Sequence, residues 1–372
     1  MALLQSIYAQ DPLRLFKQRR TVLFLSYMRF WDQQPFVQQS LAKVLTKAGV
    51  SVLWYDGRGV GLYEPKVPPR RSDWAPLVVK ELFRIPGERL SWIRSANLAL
   101  EKALLLRQFR KGEGPLVWVQ GGFEEELLEA LPHIDVFSVF DDPHRHEPGS
   151  VLSNKARLII CQNTLATELF TQQHADKTVC LFPPALVAQS EDPTPALGLP
   201  FGFPARRMGY VGSCFSEGFD FELLAKFVRA LPQWGFLLQG RTDAEGYRWI
   251  DELSKLPNFI YRPWVEPDQL AATWRALHVS LLLYRDLDTQ AGAFSVKVLE
   301  SYHHGVPCIA TEVPKTRDLR GVPRGRTLSE LIRLAQDAAT TPSQQIQQLA
   351  RYYEQTMDPT SYLSKVQDAL LS

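Results

Sequence analysis

Short apolar runs alternate with helical stretches along this chain, and this alternation limits the possible folds more than any other feature. Glycine-terminated helical patterns such as FVQQSLAKVLTKAG (36–49) separate the apolar runs. Strands that alternate with helices form parallel sheets covered by helices. A second series begins with RMGYVGS at 207–213. The runs of the first series are TVLFLS (21–26), VSVLWYD (50–56), PLVWVQ (115–120), DVFSVF (135–140), ARLIICQ (156–162) and TVCLFP (178–183).

The length of 372 residues predicts two domains, because a single core rarely grows to that size. Between 189 and 205 the periodic patterns stop and Pro and Gly concentrate, which predicts a linker. We therefore predict an α/β protein with two Rossmann-like, doubly wound domains, residues 1–188 and 206–344, facing each other across a cleft. The helices at 345–372 are expected to pack back on the first domain.

Composition indicates a soluble globular protein, with 45% hydrophobic and 22% charged residues. No apolar run approaches the roughly 18 residues that a membrane-spanning helix needs. The N-terminal sequence carries its basic residues after the apolar ones, unlike a signal peptide. The four cysteines are scattered without a metal-binding spacing. We expect a cytoplasmic protein.

Charge is distributed unevenly along the chain. Residues 1–111 hold 19 Lys and Arg against 8 Asp and Glu, a net charge of +11, and the remainder carries −9. A basic region of this kind is either an ordinary solvated surface or a contact for anionic lipid headgroups or an anionic acceptor. Nucleic acid is disfavoured as a partner, because no nucleic-acid-binding motif accompanies the charge.

One segment of the second series, residues 295–311, combines a short helix with a following buried strand. Its sequence is SVKVLESYHHGVPCIAT. Ser295 is expected to cap the helix, Gly305 to end it in the left-handed conformation, and Pro307 to prevent its continuation. The apolar run VSLLLY at 279–284 predicts a buried strand before it. A strand, a loop and a helix start present backbone N–H groups to an anion such as a nucleotide diphosphate.

Lys297 and Glu300 lie one turn apart in the predicted helix. A cation in the first turn opposes the helix dipole at a cost of ~0.3–1 kcal/mol, so an anion is expected nearby. Lys297 would then neutralise phosphate oxygens while Glu300 accepts hydrogen bonds from ribose hydroxyls. The alternative is a surface ion pair worth ~0.2–0.5 kcal/mol, in the less favourable Lys-before-Glu order. His303 and His304 lie at the helix end, where the dipole favours histidine, and they need no functional role.

The second half of the chain resembles the retaining sugar-nucleotide glycosyltransferases of the B-type fold (GT-B). The likeness is to the group-one, family-4-like class, and to bacterial polysaccharide-biosynthesis enzymes in particular. It rests on these segments, in order: YVGS, FLLQG, LPNFIYRPWVEPDQLAATWRALHVSLLLY, the helix with Lys297 and Glu300, and HGVPCIAT. The resemblance implies that the second domain binds the nucleotide-sugar donor and the first domain the acceptor.

The resemblance also implies a set of donor-binding residues. Glu300 would bind the ribose, Lys297 the diphosphate, and the backbone around Arg262 the base, while Gly212 would let the backbone approach the donor. The chain departs from the family where a second glutamate is often found, since Gly292 stands there. Basic residues usual after the YVG strand are replaced by SCFSEGFD. The full donor set is Gly212, Ser213, Arg241, Arg262, Trp264, Val265, Ser295, Val296, Lys297 and Glu300.

Candidate catalytic side chains follow the strand DVFSVF in the first domain. The family commonly places a polar residue from this domain against the transferred sugar, and Asp142 and His144 are our candidates. Carboxylates and neutral imidazoles suit a reaction in which positive charge develops on the sugar ring. A simple DDP turn is the alternative. Trp31, Gly121 and Gly122 are predicted on the acceptor side, where ordinary turn formation or packing would equally explain them.

The leading functional prediction is transfer of a sugar from a UDP- or GDP-sugar to a glycan, lipid-linked or other cell-surface polysaccharide acceptor. The resemblance implies a retaining, metal-independent mechanism, so neither cofactor nor metal is expected. Asp286 and Asp288 imitate a DxD motif of another transferase fold by coincidence. Two alternatives remain: a sugar-nucleotide epimerase of the same fold, and a non-catalytic partner that binds nucleotide-sugar. Peripheral contact with the inner face of an anionic membrane is also predicted.

Overall fold

A computed structural model provides the structure of the protein. It describes residues 11–26, 37–56, 77–80, 89–110, 114–120, 125–139, 150–185, 197–265, 269–287 and 292–372. The chain divides into two compact units. The first comprises Met1–Leu186 and Met357–Ser372, and the second Val187–Thr356.

The first unit is built on a sheet of seven described strands, all parallel to their neighbours, in the order β3-β2-β1-β4-β5-β6-β7. Both β2 and β4 pair with β1, so the strand order reverses there and the topological switch point lies between β1 and β4. The strands are β1 (Thr21–Ser26), β2 (Ser51–Asp56), β3 (Leu77–Lys80), β4 (Leu116–Val119), β5 (Ile134–Val139), β6 (Ala156–Cys161) and β7 (Thr178–Leu181).

Helices cover both faces of this sheet. Successive residues of β1 point to opposite faces, so Val22 and Phe24 enter one core cluster while Leu23 and Leu25 enter the other. Burial on both faces explains why the strands are apolar runs and not alternating patterns. The described helices of the unit are Arg14–Arg19, Val37–Lys47, Ser91–Leu106, Glu125–Ala130, Val151–Lys155, Thr164–Gln173 and Pro359–Leu371.

The second unit contains a sheet of six described strands in the order β10-β9-β8-β11-β12-β13, again parallel throughout. Its switch point lies between β8 and β11. The strands are β8 (Arg207–Val211), β9 (Gly235–Gln239), β10 (Phe259–Arg262), β11 (Val279–Leu282), β12 (Cys308–Thr311) and β13 (Arg324–Gly325). The described helices are Phe221–Ala230, Ala244–Leu253, Ala271–Ala276, Lys297–His303, Leu328–Ala338 and Ser343–Thr356.

The final helices differ from the sequence prediction, which assigned all of 345–372 to the first domain. Pro359–Leu371 does pack there, with Tyr362 stacked on Trp118 at 6.3 Å between ring centroids. Ser343–Thr356 instead belongs to the second unit, where Tyr353 stacks on Tyr302 at 5.7 Å. A pattern of apolar residues shows that a helix has a buried face but not which unit covers it, and the break between the units falls after the first of these helices.

The predicted linker also differs in part. Its first residues lie outside the described part of the chain, but 197–205 are described, and Leu197, Leu199 and Phe203 pack against the second core. Proline and glycine prevent regular structure here without preventing apolar packing. Within the described residues, no helix has both the length and the apolar character required to cross a bilayer.

Candidate functional site

Loops that follow the strands meet at the switch point of the second sheet, where open parallel sheets bind their ligands. The loop after β8 is tied to the end of β9, because the Gly212 N–H donates to the Gln239 carbonyl at 2.8 Å. It is tied to the loop after β11 as well, since the Asp220 N–H donates to the Leu283 carbonyl at 3.0 Å. The backbone around the switch point is therefore held from both sides.

Two glycines allow neighbouring segments of the chain to approach each other closely at this point. Gly212 and Gly240 have φ angles of +144° and +150°, which side chains of L-residues rarely adopt. A Cβ on Gly240 would lie 1.8 Å from the Gly212 carbonyl oxygen. A Cβ on Gly212 would lie 2.5 Å from Cε of Lys297. The close neighbour of Gly212 is thus the Lys297 side chain, and its predicted approach to a donor stays a prediction.

Lys297 and Glu300 form an ion pair on the helix Lys297–His303, with 3.3 Å between Nζ and Oε2. The side chains are only 19% and 13% exposed. The alternative prediction of a surface ion pair is therefore right about the pair but wrong about its exposure, since the pair is largely buried beside Gly212. A largely buried ammonium group at a strand-to-helix junction is suited to binding an anion that enters the switch point.

The start of this helix differs from the prediction. Ser295 does not cap it, since Val296 precedes the first helical residue, has helical backbone angles and makes no side-chain cap hydrogen bond. Ser295 is buried, and its Oγ lies 2.8 Å from the Tyr284 hydroxyl. A buried phenol needs a hydrogen-bond partner, and this requirement wins over capping. The end of the helix is as predicted, because Gly305 has a φ of +75°.

Two buried tyrosines lie beneath the site. Burial raises the pKa of Tyr284 to about 12 and that of Tyr210 well above its usual range, and the Glu300 carboxylate adds to both shifts. Both phenols are therefore neutral at physiological pH. The Tyr210 hydroxyl donates to the Ser213 carbonyl at 3.0 Å. The Tyr210 hydroxyl thus holds the loop after β8 through Ser213, and the Tyr284 hydroxyl holds the loop before the helix Lys297–His303 through Ser295.

The loop after β8 holds the segment SCFSEGFD, which replaces the basic residues usual after the YVG strand, and hydrogen bonds join it to the loop after β9. Asp243 accepts hydrogen bonds from the Ser216 hydroxyl at 2.6 Å and the Ser216 N–H at 3.0 Å. Thr242 donates to the Cys214 carbonyl at 2.7 Å. Burial raises the pKa of Asp243, but the hydrogen bonds from Ser216 and Gly246 outweigh it and leave that pKa lowered. An ionised Asp243 therefore anchors both loops.

Other predicted donor residues surround this centre. The Arg241 guanidinium lies over the Trp264 ring, 4.4 Å from its centroid. Arg262 directs its side chain to the Gly198 carbonyl at 3.4 Å, and its own carbonyl accepts the Gly240 N–H at 3.1 Å. Val265 is half-buried at the end of the same described stretch.

Lys315 was not singled out from the sequence. Its ammonium group lies 4.5 Å from the centroid of the Tyr284 ring, in the loop after β12. The face of an aromatic ring attracts a cation, which explains the position. The only sequence signal would have been a lysine shortly after a buried strand, and many surface lysines share that feature.

Comparison with known proteins bears on these observations. No family model matches the chain. Among curated proteins, TuaH of Bacillus subtilis (strain 168), which is assigned a glycosyltransferase role in teichuronic acid biosynthesis, is 23% identical over 113 residues. The matched part is 30% of this chain and 28% of TuaH, so it spans less than a third of that relative.

Solved structures match nearly the entire chain. Anabaena Alr3699/HepE in complex with UDP and glucose has a TM-score of 0.63 and 11% identity over 95% of this chain and 99% of its own. An E. coli trehalose-6-phosphate protein bound with UDP-2-fluoro glucose has a TM-score of 0.65 and 10% identity over the same shares. The trehalose 6-phosphate synthase of Burkholderia multivorans gives 0.60 and 11% over 94% and 98%.

The chain has the GT-B fold. The predicted pair of doubly wound α/β domains is thereby confirmed, and the second unit of this GT-B protein carries the candidate site described above. At 10–11% identity the likeness concerns the fold, so the roles of individual residues have to be argued from their own surroundings.

At the end of the helix, burial and not the helix dipole decides the charge of His304. The His304 ring stacks on Trp274 with 6.3 Å between centroids, and burial lowers its pKa to about 4, with His303 and Arg275 adding to the shift. His304 is therefore neutral, because burial outweighs the dipole of a seven-residue helix. His303 lies 2.9 Å from Glu354 of the helix Ser343–Thr356.

Five predicted residues lie outside the described part of the chain: Asp142, His144, Trp31, Gly121 and Gly122. Their catalytic and acceptor-side roles remain predictions. The neighbouring strand ends are described, and Ser26 donates to Gln120 at 2.6 Å where β1 and β4 end, at the switch point of the first sheet. Among the described residues, no group of three or more His, Cys, Asp or Glu is placed to hold a metal ion.

Proposed function

We propose that this protein is a glycosyltransferase that transfers a sugar from a UDP- or GDP-sugar to a glycan, lipid-linked or other cell-surface polysaccharide acceptor. One observation carries the proposal: the largely buried Lys297 ammonium group, paired with Glu300 and seated on Gly212 at the switch point of the second sheet. Two proteins of the same fold hold UDP or a UDP-sugar analogue, which supports a uridine nucleotide. The teichuronic acid role of TuaH supports a polysaccharide acceptor.

Lys297 and Glu300 suit the two parts of a nucleoside diphosphate. The ammonium group of Lys297 has three donors, of which one is directed to Glu300, so it can also contact phosphate oxygens. A carboxylate accepts several hydrogen bonds, so Glu300 can bind ribose hydroxyls while it keeps the contact with Lys297. The pair thus orients the lysine before the nucleotide arrives, which reduces the ordering cost of binding.

Further cations lie around the same edge of the sheet. Arg241 rests on Trp264 after β9, and Lys315 rests on Tyr284 after β12. Since Tyr284 is hydrogen-bonded to Ser295, Lys315 is close to the loop that leads to Lys297. In the proposed enzyme these side chains replace the basic residues absent from SCFSEGFD and share the charge of the diphosphate.

The proposed reaction is metal-independent and retains the configuration of the sugar. Breaking the bond to the leaving phosphate places negative charge on the diphosphate, which Lys297 and its neighbours stabilise. Asp142 and His144 are the proposed catalytic side chains on the sugar side, and Trp31, Gly121 and Gly122 the proposed acceptor contacts. The proposed location is cytoplasmic, with peripheral attachment to the inner face of the membrane.

Titration calorimetry with UDP and GDP tests the donor site. The wild-type protein is expected to bind one of them, and Lys297→Gln is expected to weaken binding by about 1.5–3 kcal/mol, the usual contribution of a charge-assisted hydrogen bond. Lys255→Gln is a matched control, since Lys255 pairs with Glu252 three residues earlier but is exposed. Unchanged affinity in Lys297→Gln would refute the assignment.

One feature favours a non-catalytic nucleotide-binding partner as the second candidate. Gly292, buried in the loop before the helix, stands where the family often has a glutamate. Incubation with UDP-sugars and a panel of glycan acceptors separates the candidates, because an enzyme releases UDP only when acceptor is present. Release of an altered sugar nucleotide without acceptor would identify an epimerase instead.

A further inference from the structure

The helix Ser91–Leu106 of the first unit exposes an apolar side to solvent. Its buried residues are Ile93, Asn97, Glu101 and Leu105, spaced four apart along a single narrow stripe. Two of these four are polar, and Glu101 is only 1% exposed. A surface helix normally buries its apolar side and exposes its polar one. This helix departs from that arrangement.

Large apolar side chains mark the exposed side. Trp92 is 65% exposed, Leu90 just before the helix 53%, and Leu100 37%. At 100° per residue, Trp92, Ala96, Ala99 and Ala103 lie along one side of the helix, opposite the buried stripe. Because alanine side chains are small, Trp92 extends furthest from this side of the helix. Tryptophan, like tyrosine, is enriched at membrane–water interfaces, where its apolar ring and its N–H group are both accommodated.

Charge around this side has one sign. Residues 89–110 contain five basic residues and a single acidic one, Glu101, which is buried. Arg89 lies before the helix, and Arg107 and Arg110 lie in the 3-10 turn that follows it, all three exposed. The apolar side is therefore bounded at both ends by positive charge. An amphipathic helix of this kind binds in the interface of an anionic bilayer.

We propose that residues 89–110 form the surface by which the protein docks on an anionic membrane, with Trp92 inserted among the lipid headgroups and Arg89, Arg107 and Arg110 on phosphates. The proposal deepens the membrane attachment given under the proposed function. The competing occupant is a protein partner with an apolar and acidic surface. The positive charge by itself does not favour that partner over an anionic bilayer. The combination of an exposed tryptophan with cations at both ends favours lipid.

Sedimentation of the full chain with vesicles tests the proposal. Vesicles of phosphatidylcholine with phosphatidylglycerol are compared with phosphatidylcholine alone, at low and high salt. The wild type is expected to bind the anionic vesicles, and to dissociate as salt rises. Trp92→Ser removes the inserted side chain, and Arg107→Glu with Arg110→Glu reverses two charges that contact phosphates. Each of these two variants is expected to weaken binding about tenfold or more.

Matched controls lie in the second unit. Phe201→Ser removes an exposed aromatic side chain from another surface, and Arg229→Glu reverses an exposed charge. Neither is expected to change vesicle binding. Circular dichroism and thermal melts show that each variant is folded. Vesicle binding by Trp92→Ser equal to that of the wild type would overturn the proposal, as would wild-type protein that ignores anionic vesicles at low salt.

Nucleotide titration separates this inference from the donor site. The variants in 89–110 are expected to bind UDP or GDP like the wild type. Wild-type protein that binds vesicles but no nucleotide leaves the docking surface supported and the donor site refuted. Concentration-dependent self-association that Trp92→Ser abolishes, without vesicle binding, would assign the surface to a second copy of the chain and overturn the lipid assignment.

Discussion

Gly212→Ala tests the central contact of the candidate site. The added Cβ would lie 2.5 Å from Lys297 Cε, 3.2 Å from Nζ and 3.3 Å from Cδ. Carbon atoms in contact prefer about 3.5–4.0 Å, so the lysine stem must move by about 1 Å or more. The φ of +144° adds backbone strain, of order 1–3 kcal/mol for a residue with a side chain.

Displacement of Lys297 should weaken nucleotide binding. If its charge-assisted contact with phosphate contributes ~1.5–3 kcal/mol, losing it raises the Kd by about 10-fold to 150-fold. Titration calorimetry with UDP and with uridine measures the effect. The loss should appear with UDP and not with uridine, since uridine has no phosphate to contact the lysine.

Gly305→Ala is the control for backbone strain. Gly305 also has a positive φ, +75°, but its added Cβ would meet nothing within 4 Å. This variant should lose about 1 kcal/mol of stability and keep its affinity for UDP. A folded Gly212→Ala protein that binds UDP as tightly as the wild type would refute the reasoning, because Lys297 would then not act where the structure places it.

Three further outcomes are expected. Tyr284→Phe should lower the free energy of unfolding by about 1–3 kcal/mol, measured in urea, because it leaves the buried Ser295 hydroxyl without this partner, whereas Tyr247→Phe on an exposed tyrosine should have little effect. Lys315→Gln should raise the Kd for UDP by up to about tenfold and leave that for uridine unchanged; equal affinities would remove Lys315 from the site. The pKa of His304 falls from 6.5 to about 4 on folding, so the unfolded chain binds a proton at a higher pH than the folded protein does. The free energy of unfolding should therefore decrease as pH falls from about 6.5 to 4. In urea titrations at pH 7 and pH 5, the free energy of unfolding of His304→Gln should decrease less than that of the wild type. An equal decrease in both proteins would contradict the lowered pKa of His304.

Much of the candidate site could be predicted because it depends on local spacing. Lys297 and Glu300 are three residues apart, so any helix brings them together, and Gly305 ends that helix as its sequence indicates. Ser295 was expected as a cap for the same local reason. The buried hydroxyl of Tyr284, eleven residues earlier, supplied a competing partner that no local pattern reveals.

The sequence by itself determined the two α/β series, the parallel sheets and the position of the helix with Lys297 and Glu300. These follow from apolar periodicity and from glycine and proline, which act within a few residues of the chain. Only the tertiary structure decided that Ser343–Thr356 joins the second unit, that His304 is neutral against Trp274, and that Lys315 rests on Tyr284. Each depends on burial and on partners distant in sequence, and these exist only after the sheets have assembled.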